Sequence, residues 1–372
     1  VNPDHLLADL DLPAGARVVV AMSGGVDSSV CAGLLAEAGF DVVGITMQLY
    51  DHGQATGRAG SCCAGRDIRD ARAVADRLGI PHFVLDYEER FRRQVIDEFA
   101  AGYAAGRTPI PCVRCNERIK FGDLLESAQE LGAAALVTGH YVRRLRTSGR
   151  TELHRGRDSA KDQSYFLFAT TDRQLARLRF PLGGLTKAET RAHAQRLGLP
   201  VAEKAESQDI CFVPDGDHAS VVAALRPEAG QSGEIVDDAG RVLGRHRGLA
   251  GITVGQRRGL GVAAPERMYV TEIDPVSRRV TIAPKARARM RWAVLDRLHL
   301  VGAAAAGELP GEVMAKHRYN EPAQPATVRR DEAGRVEVVF HEPQLGIARG
   351  QACVLYHGSR LLGGGWIERA VA

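Results

Sequence analysis

Long apolar runs are absent from this 372-residue chain. Nothing in it approaches the roughly 18 consecutive apolar residues of a bilayer span. The N-terminal segment carries Asp4, Asp9 and Asp11 and lacks the basic-then-apolar block of a secretory signal. A membrane protein and a secreted one are both excluded on this reading, and a cytoplasmic location is expected. Internal repeats and low-complexity tracts are missing too, as is a large excess of one charge. The 49 Lys and Arg against 45 Asp and Glu leave a net charge of +4, which permits a nucleic-acid partner without demanding one. With 45% hydrophobic and 25% charged residues the composition is that of a globular protein. At roughly 150 residues per domain the length suggests two or three domains.

What is present first is a rhythm of strands and helices. Arg17 to Ala21 is a short apolar run followed by a Gly-rich turn and a helix-favouring stretch, Val30 to Ala38, that stops at Gly39. Asp41 to Met47, Asp67 to Leu78, His82 to Asp86, Leu124 to Leu131 and Ala134 to Thr138 continue the alternation, and Lys187 to Leu197 adds a helix. Repeated βα units predict a doubly wound parallel sheet with helices on both faces. Gly53 to Gly65 reads as a loop over the carboxyl edge of that sheet. From about Ala219 short alternating segments begin, and from about Arg291 the pattern is all β, which predicts a small closed or nearly closed barrel. The expected organisation is a catalytic domain over 1–218, a small central domain over 219–286 and a C-terminal barrel over 287–372.

The string Ala21-Met22-Ser23-Gly24-Gly25-Val26-Asp27-Ser28 falls where an open α/β sheet binds ligands, between the first strand and the first helix. Glycines there let backbone amides approach phosphate oxygens, and Ser23, Ser28 and the helix N-terminus add donors. The Lys of a Walker loop is missing. The string resembles the PP-loop of the N-type ATP pyrophosphatases, which split ATP between the α and β phosphates and pass AMP to an oxygen. That resemblance implies ATP without naming the acceptor.

The cysteines bear on the acceptor. There are seven, Cys31, Cys62, Cys63, Cys112, Cys115, Cys211 and Cys353, an odd number with no secretory signal, so they read as thiols, ligands or catalysts. Arg114, Arg118 and Lys120 flank Cys115 and predict a stabilised thiolate nucleophile. Cys112 and Cys115 form a C-x-x-C pair. A structural zinc site would need Cys62 and Cys63 to complete it. An iron–sulfur site would draw on Cys112, Cys115 and Cys211. Cys31 and Cys353 sit in apolar contexts and read as buried small hydrophobes.

Taken together, S-G-G-V-D-S at Ser23, C-N-x-x-I-K-F at Cys115, T-G-H-Y at Thr138, K-D-Q-S-Y-F-L at Lys161, D-I-C-F around Cys211, G-Q-R-x-G-L-G at Gly255 and R-Y at Arg318 resemble the bacterial tRNA-specific 2-thiouridylases, the MnmA (TrmU) family, over essentially the whole chain. The resemblance implies an enzyme that uses ATP and Mg²⁺ to adenylate the C2 oxygen of the wobble uridine in a tRNA anticodon loop and replaces it with sulfur. It implies a sulfur donor such as a cysteine desulfurase or sulfur-relay protein. Gly24, Gly25, Asp27 and Ser28 would hold the pyrophosphate, and Met47 and Gly139 would flank adenine and ribose. Cys211 would carry a persulfide, and Cys115 would act in release, either through a disulfide with Cys211 or by freeing sulfide.

Ile110, Pro111 and Cys112 would line the target base, Lys161, Asp162 and Gln163 would grip the nucleotide, and Arg318 with Tyr319 would pair a phosphate and stack a base. Arg143, Arg144, Arg146, Arg257 and Arg258 are further phosphate candidates, while His140 is given no catalytic role. One departure stands out. The family often has Asn-Pro-Asp where this chain has Ile110-Pro111-Cys112, so a thiol occupies the place of the expected acid.

Overall fold

The computed structural model describes residues 10–50, 63–206, 210–213, 216–302, 304, 309–332 and 334–371. The first layer is a five-stranded sheet of β1 (Arg17–Ala21), β2 (Asp41–Gln48), β3 (His82–Asp86), β4 (Ala135–Val137) and, beyond the hairpin strands β5 (Val142–Thr147) and β6 (Arg150–Arg155), β7 (Leu178–Arg179). Its order is β3-β2-β1-β4-β7 and every pairing is parallel. Val18 to Val20 is unbroken apolar sequence because both faces are covered. Val19 packs with Phe121, Leu124 and Leu125 on one side, and Val18 and Val20 pack with Val30 and Leu34 of helix α1 (Val26–Glu37) on the other. The predicted loop lies outside the described residues from 53 to 62, Cys62 included, and its last positions instead begin helix α2 (Cys63–Leu78).

A second sheet, of β8 (Gly233–Asp237), β9 (Val242–His246), β10 (Met268–Asp274) and β11 (Arg279–Pro284), has the order β10-β11-β8-β9. The third is a barrel of β12 (Arg289–Leu300), β13 (Glu312–Lys316), β14 (Gln324–Arg330), β15 (Val336–Leu345), β16 (Ala352–His357) and β17 (Arg360–Val371), closed by the β12–β17 pairing. Closure leaves no edge inside the ring. The expected architecture of parallel α/β sheet, small central unit and barrel is therefore present.

The β5–β6 hairpin does not extend the parallel sheet. It pairs with β17, His154 opposite Arg360 and Leu153 opposite Leu361, and so ties the first layer to the barrel. This explains why Arg144 cannot serve as the phosphate contact expected of it. It is buried, donates from Nε to the Leu175 carbonyl at 3.2 Å, and burial lowers its affinity for a proton. Arg146 pairs with Asp11 at 2.9 Å, and Arg257 and Arg258 remain exposed.

Candidate active site

β1 and β4 lie side by side, while the strands that extend the sheet beyond them, β2 and β7, lie on opposite sides. The carboxyl ends of β1 and β4 thus flank a crevice of the kind that receives ligands in open α/β sheets. The Ser23–Ser28 turn enters it from β1 and the Thr138–Tyr141 turn from β4. The two turns touch so closely that a Cβ on Gly139 would lie 2.9 Å from the Ser28 nitrogen. Gly24 has φ +72° and its Cβ would fall 2.2 Å from the Asp67 carbonyl oxygen, so both position and conformation demand glycine. Gly25 has φ −92° and meets only Ser23 Oγ, at 3.4 Å.

Substituting Gly24 with alanine is therefore expected to cost about 1–2 kcal/mol for the left-handed backbone alone, to lower the melting temperature, and to weaken nucleotide binding at least tenfold. Gly25→Ala should fold as the parent does. Thermal unfolding of the pair checks this, and equal melting temperatures for the two variants would contradict it.

Met22 and Val26 are buried and Ala21 is half-buried, so Met22 and Val26 have little beyond backbone to offer a ligand. The Ser23 amide donates to Ser28 Oγ at 3.1 Å, and Ser28 Oγ also lies 3.3 Å from the Gly25 carbonyl. At the start of α1, Gly25 is the N-cap and no side chain caps the helix. The first-turn amides are left as donors with the positive end of the helix dipole behind them.

Cations missing from the loop itself arrive from distant sequence. Lys187 Nζ is 2.7 Å from Asp27 Oδ1 and 3.0 Å from Glu206 Oε1, and only 12% of its side chain is exposed. Tyr141 donates its hydroxyl to the same Asp27 oxygen at 2.8 Å. Lys204 donates to the Gly24 carbonyl at 3.0 Å and to Asp67 at 2.8 Å, and pairs with Asp70. Lys161 closes the chain on Glu206 at 2.6 Å, which raises its affinity for the proton. None of Lys187, Lys204, Glu206 or Asp67 carries a site signal in the sequence, and Tyr141 does so only as the last residue of T-G-H-Y. The local signal at Lys187 is only a helix start, the Thr186–Glu189 capping box.

The thiols gather around an aromatic cluster. Pro111–Arg114 begins a helix with proline at its first turn, where a missing N–H costs nothing, and Cys115–Asp123 continues it as π-helical turns. Ile110 and Pro111 are buried against the core. Cys115 is buried in the cluster that also holds Phe91, Phe99 and Phe212. Phe212 packs edge-on against Phe91 at 5.8 Å and Phe99 at 5.2 Å, which anchors its neighbour Cys211. Cys112 and Cys211 present surface to solvent. The protein packed around Cys211, together with the Cys115 and Cys112 thiols, nonetheless holds its ionisation above the usual thiol range.

The thiolate expected at Cys115 is not what the structure contains. Arg114 is neutralised by Glu98 at 2.7 Å and Glu117 at 2.9 Å, and Arg118 by Glu98 at 2.6 Å. Burial pushes the Cys115 thiol up to about 11, Lys120 opposing and Cys112 adding to the rise. Cys115 rests as a protonated thiol. Cys31 and Cys353 are fully buried and burial raises both. Among the described residues no three His, Cys, Asp or Glu side chains are grouped at metal-holding distance, and Cys62, which the zinc reading needs, lies outside them.

Of the residues expected to grip RNA, several have internal partners. Asp162 is buried and accepts from the amides of Gly156 and Ser164, each at 3.1 Å, and from Ser164 Oγ at 2.9 Å. Gln163 Oε1 accepts from the Tyr141 amide at 3.0 Å and so braces the turn beside Ser23–Ser28. Met47 is the penultimate residue of β2, half-buried between two apolar clusters. His140 is buried and bonded to Thr138 at 2.8 Å, and burial lowers it well below the usual histidine range, so it is neutral. Arg318 reaches across to the Val254 carbonyl and joins the barrel to the central unit. Tyr319 lies 4.4 Å from the Phe166 ring and lines a cavity of about 310 Å³ with Asp162, Lys316 and Asn320. Burial raises the Tyr319 hydroxyl, Asp162 adding to the rise and Lys161 opposing it, and the shared cavity sets the Lys161 turn against the barrel.

The chain is similar to three families in succession. Residues 16–215 match the tRNA methyl transferase HUP domain, 221–284 the tRNA methyl transferase PRC-barrel domain, and 292–367 the aminomethyltransferase beta-barrel domain. A tRNA-specific 2-thiouridylase MnmA from Parvibaculum lavamentivorans is 57% identical over 98% of this chain and 94% of its own length. Its counterpart from Rhizorhabdus wittichii is 57% identical over 96% and 93%, and that from Rhodospirillum centenum 56% identical over 97% and 93%. Among the described residues no helix is long and apolar enough to cross a membrane.

Proposed function

The chain belongs to the tRNA-specific 2-thiouridylase family and is a tRNA sulfurtransferase, and from that premise we propose that it activates the wobble uridine with ATP and delivers sulfur from a persulfide on Cys211. Uridine O2 is a poor leaving group, so sulfur attack on C2 needs prior activation. ATP enters as a substrate: O2 attacks the α-phosphorus, the bond to the β-phosphate breaks, and pyrophosphate departs. The outer sulfur of the Cys211 persulfide attacks C2, the C2–O bond breaks and AMP departs. Cys115 then attacks the inner sulfur, leaving the outer one on C2 as 2-thiouridine and forming a Cys115–Cys211 disulfide. A dithiol reductant restores both thiols.

The observation that carries this reading is the uncapped start of α1 at Gly25, flanked by Lys187 and Lys204 and linked through Glu206 to the segment that leads to Cys211. Free amides and fixed cations suit a charge-rich transition state at phosphorus. Mg²⁺ would neutralise phosphate charge, resting on phosphate oxygens and on Asp27, whose Oδ1 already serves Tyr141 and Lys187. The Cys115 thiol, pushed up to about 11 by burial and so protonated at rest, supports its acting after sulfur transfer: a protonated thiol does not strip the persulfide early. Exposure of Cys211 suits loading by a cysteine desulfurase or relay protein. Lys161 and Tyr319 hold the RNA at the crevice mouth in this reading, with Ile110, Pro111 and Cys112 shaping the base site and Met47 and Gly139 beside the adenosine. Arg318 adds a phosphate contact if RNA displaces its bond to Val254.

The test is mass spectrometry of nucleosides from unmodified tRNA incubated with protein, Mg²⁺ and a persulfide donor, with and without ATP. 2-Thiouridine should form only when ATP is present. ATP-independent formation, or none with folded protein and competent donor, would overturn the proposal.

A further inference from the structure

Arg114 sits between Cys112 and Cys115, and its side chain is held on three sides. Nε meets Glu98 Oε1 at 2.7 Å, Nη1 meets Glu117 Oε2 at 2.9 Å, and the guanidinium carbon stands 4.2 Å from the centre of the Trp366 ring. The two carboxylates fix the plane of the fork, and the free face stacks on the indole. Trp366 belongs to β17 of the barrel and packs edge-on against Phe168 at 5.4 Å. The segment Ser164–Leu167 just before Phe168 carries Tyr165 and Phe166, and Phe166 meets Tyr319 at 4.4 Å beside the 310 Å³ cavity. Two ring contacts, Tyr319 with Phe166 and Phe168 with Trp366, joined by the backbone through Leu167, thus lead from that cavity to Arg114, which with Val113 separates the two cysteines of the C-x-x-C helix.

We propose that Arg114 is a positioning residue that transmits the seating of RNA at the barrel to the setting of the Cys115 thiol. The proposal rests on the RNA-binding reading above. Arg114 touches no reacting atom. Its two ion pairs bind it to its own helical layer, and its stack binds that layer to the barrel. Movement of Trp366 when RNA fills the Tyr319 cavity therefore moves the guanidinium, and with it the turn that carries Cys115. Lysine could not substitute: a single ammonium cannot meet both carboxylates in one plane and stack at the same time.

The readout is the rate of Cys115 alkylation, quantified by peptide mass spectrometry in the full chain, with and without an unmodified anticodon stem-loop RNA. Cys112→Ser and Cys211→Ser backgrounds remove the other two thiols of the site. RNA should change the rate at Cys115 at least fivefold in the parent. Arg114→Ala and Trp366→Ala should each abolish that change while binding the stem-loop within about twofold of the parent, and Trp366→Phe, which keeps a ring, should retain most of it. In the otherwise native chain each alanine variant should lower the single-turnover rate of 2-thiouridine formation about tenfold with KM unchanged. The double variant should be no slower than either single one, because the two residues form one link. Multiplicative losses near a hundredfold, full rescue by Arg114→Lys, or an RNA-dependent change preserved in Arg114→Ala would overturn the proposal. Failure of the RNA to bind the parent at all would instead overturn the RNA-binding reading on which it rests.

Discussion

Replacing Cys211 by serine is expected to reduce 2-thiouridine below detection, a loss of at least about a thousandfold, while tRNA-dependent release of pyrophosphate continues and AMP stays on the tRNA. The hydroxyl cannot carry a persulfide, yet the phosphate loop, Lys187 and Lys204 are untouched, so activation proceeds and sulfur transfer does not. Cys115→Ser should separate the two routes of release. If the persulfide attacks C2 first, this variant accumulates protein joined to tRNA through the two sulfurs of Cys211, visible on a non-reducing gel and freed by dithiothreitol. If Cys115 must first liberate sulfide, no adduct forms and persulfide stays on Cys211. The thiol of Cys115, pushed up to about 11 by burial, favours the adduct. The sign is direct: a raised thiol is neutral below its own pKa, and its thiolate fraction grows about tenfold per pH unit up to that point. The release step in the parent should therefore quicken from pH 7 to pH 9, and a flat profile for adduct breakdown would contradict the assignment of Cys115. Multiple-turnover 2-thiouridine formation at the parent rate in either serine variant would remove that cysteine from the mechanism.

Lys187→Met should depress ATP-dependent AMP release about a hundredfold, the scale on which one fixed electrostatic donor acts in an acyl-transfer site. Methionine keeps the length and apolar stem of the side chain and deletes the charge. Asp27 and Glu206, now held at 2.7 and 3.0 Å from the same ammonium, would be left as two carboxylates facing the incoming phosphates. Both the missing attraction and the new repulsion act against ATP. Lys187→Arg should recover part of the rate, since a cation returns with a different reach. Steady-state AMP release and equilibrium nucleotide binding measure the effect, and a Lys187→Met enzyme within threefold of the parent would show that the loop amides and Lys204 suffice.

How much of this was legible in the sequence depended on how far apart the contributing residues lie. The strand–turn–helix that carries Ser23–Ser28 was legible because its parts are contiguous: three valines, a pair of glycines and the start of a helix. The barrel was legible from alternating strands, though not that β5 and β6, which leave the first layer, would pair with β17. Arg144 is buried with its Nε on the Leu175 carbonyl, so the basic run is less available to RNA than the sequence suggests. The ion-pair chain from Asp27 to Lys187, Glu206 and Lys161 joins positions up to 160 residues apart, so nothing local announces it. Charges beside Cys115 misled for the complementary reason. Arg114 and Arg118 are near in sequence, but Glu98, brought in by folding, spends their charge. Asp162 and Gln163 show the same limit, since only the folded turn reveals that their oxygens are already occupied by backbone amides.

The central claim, that AMP is passed to the C2 oxygen of the wobble uridine before sulfur replaces it, is tested most directly by following that oxygen. A tRNA whose wobble uridine carries ¹⁸O at C2 is incubated with the protein, ATP, Mg²⁺ and a persulfide donor, and the released AMP is weighed by mass spectrometry. The account predicts AMP about two mass units heavier, in amounts equal to the 2-thiouridine formed. Unlabelled AMP accompanying 2-thiouridine would contradict it.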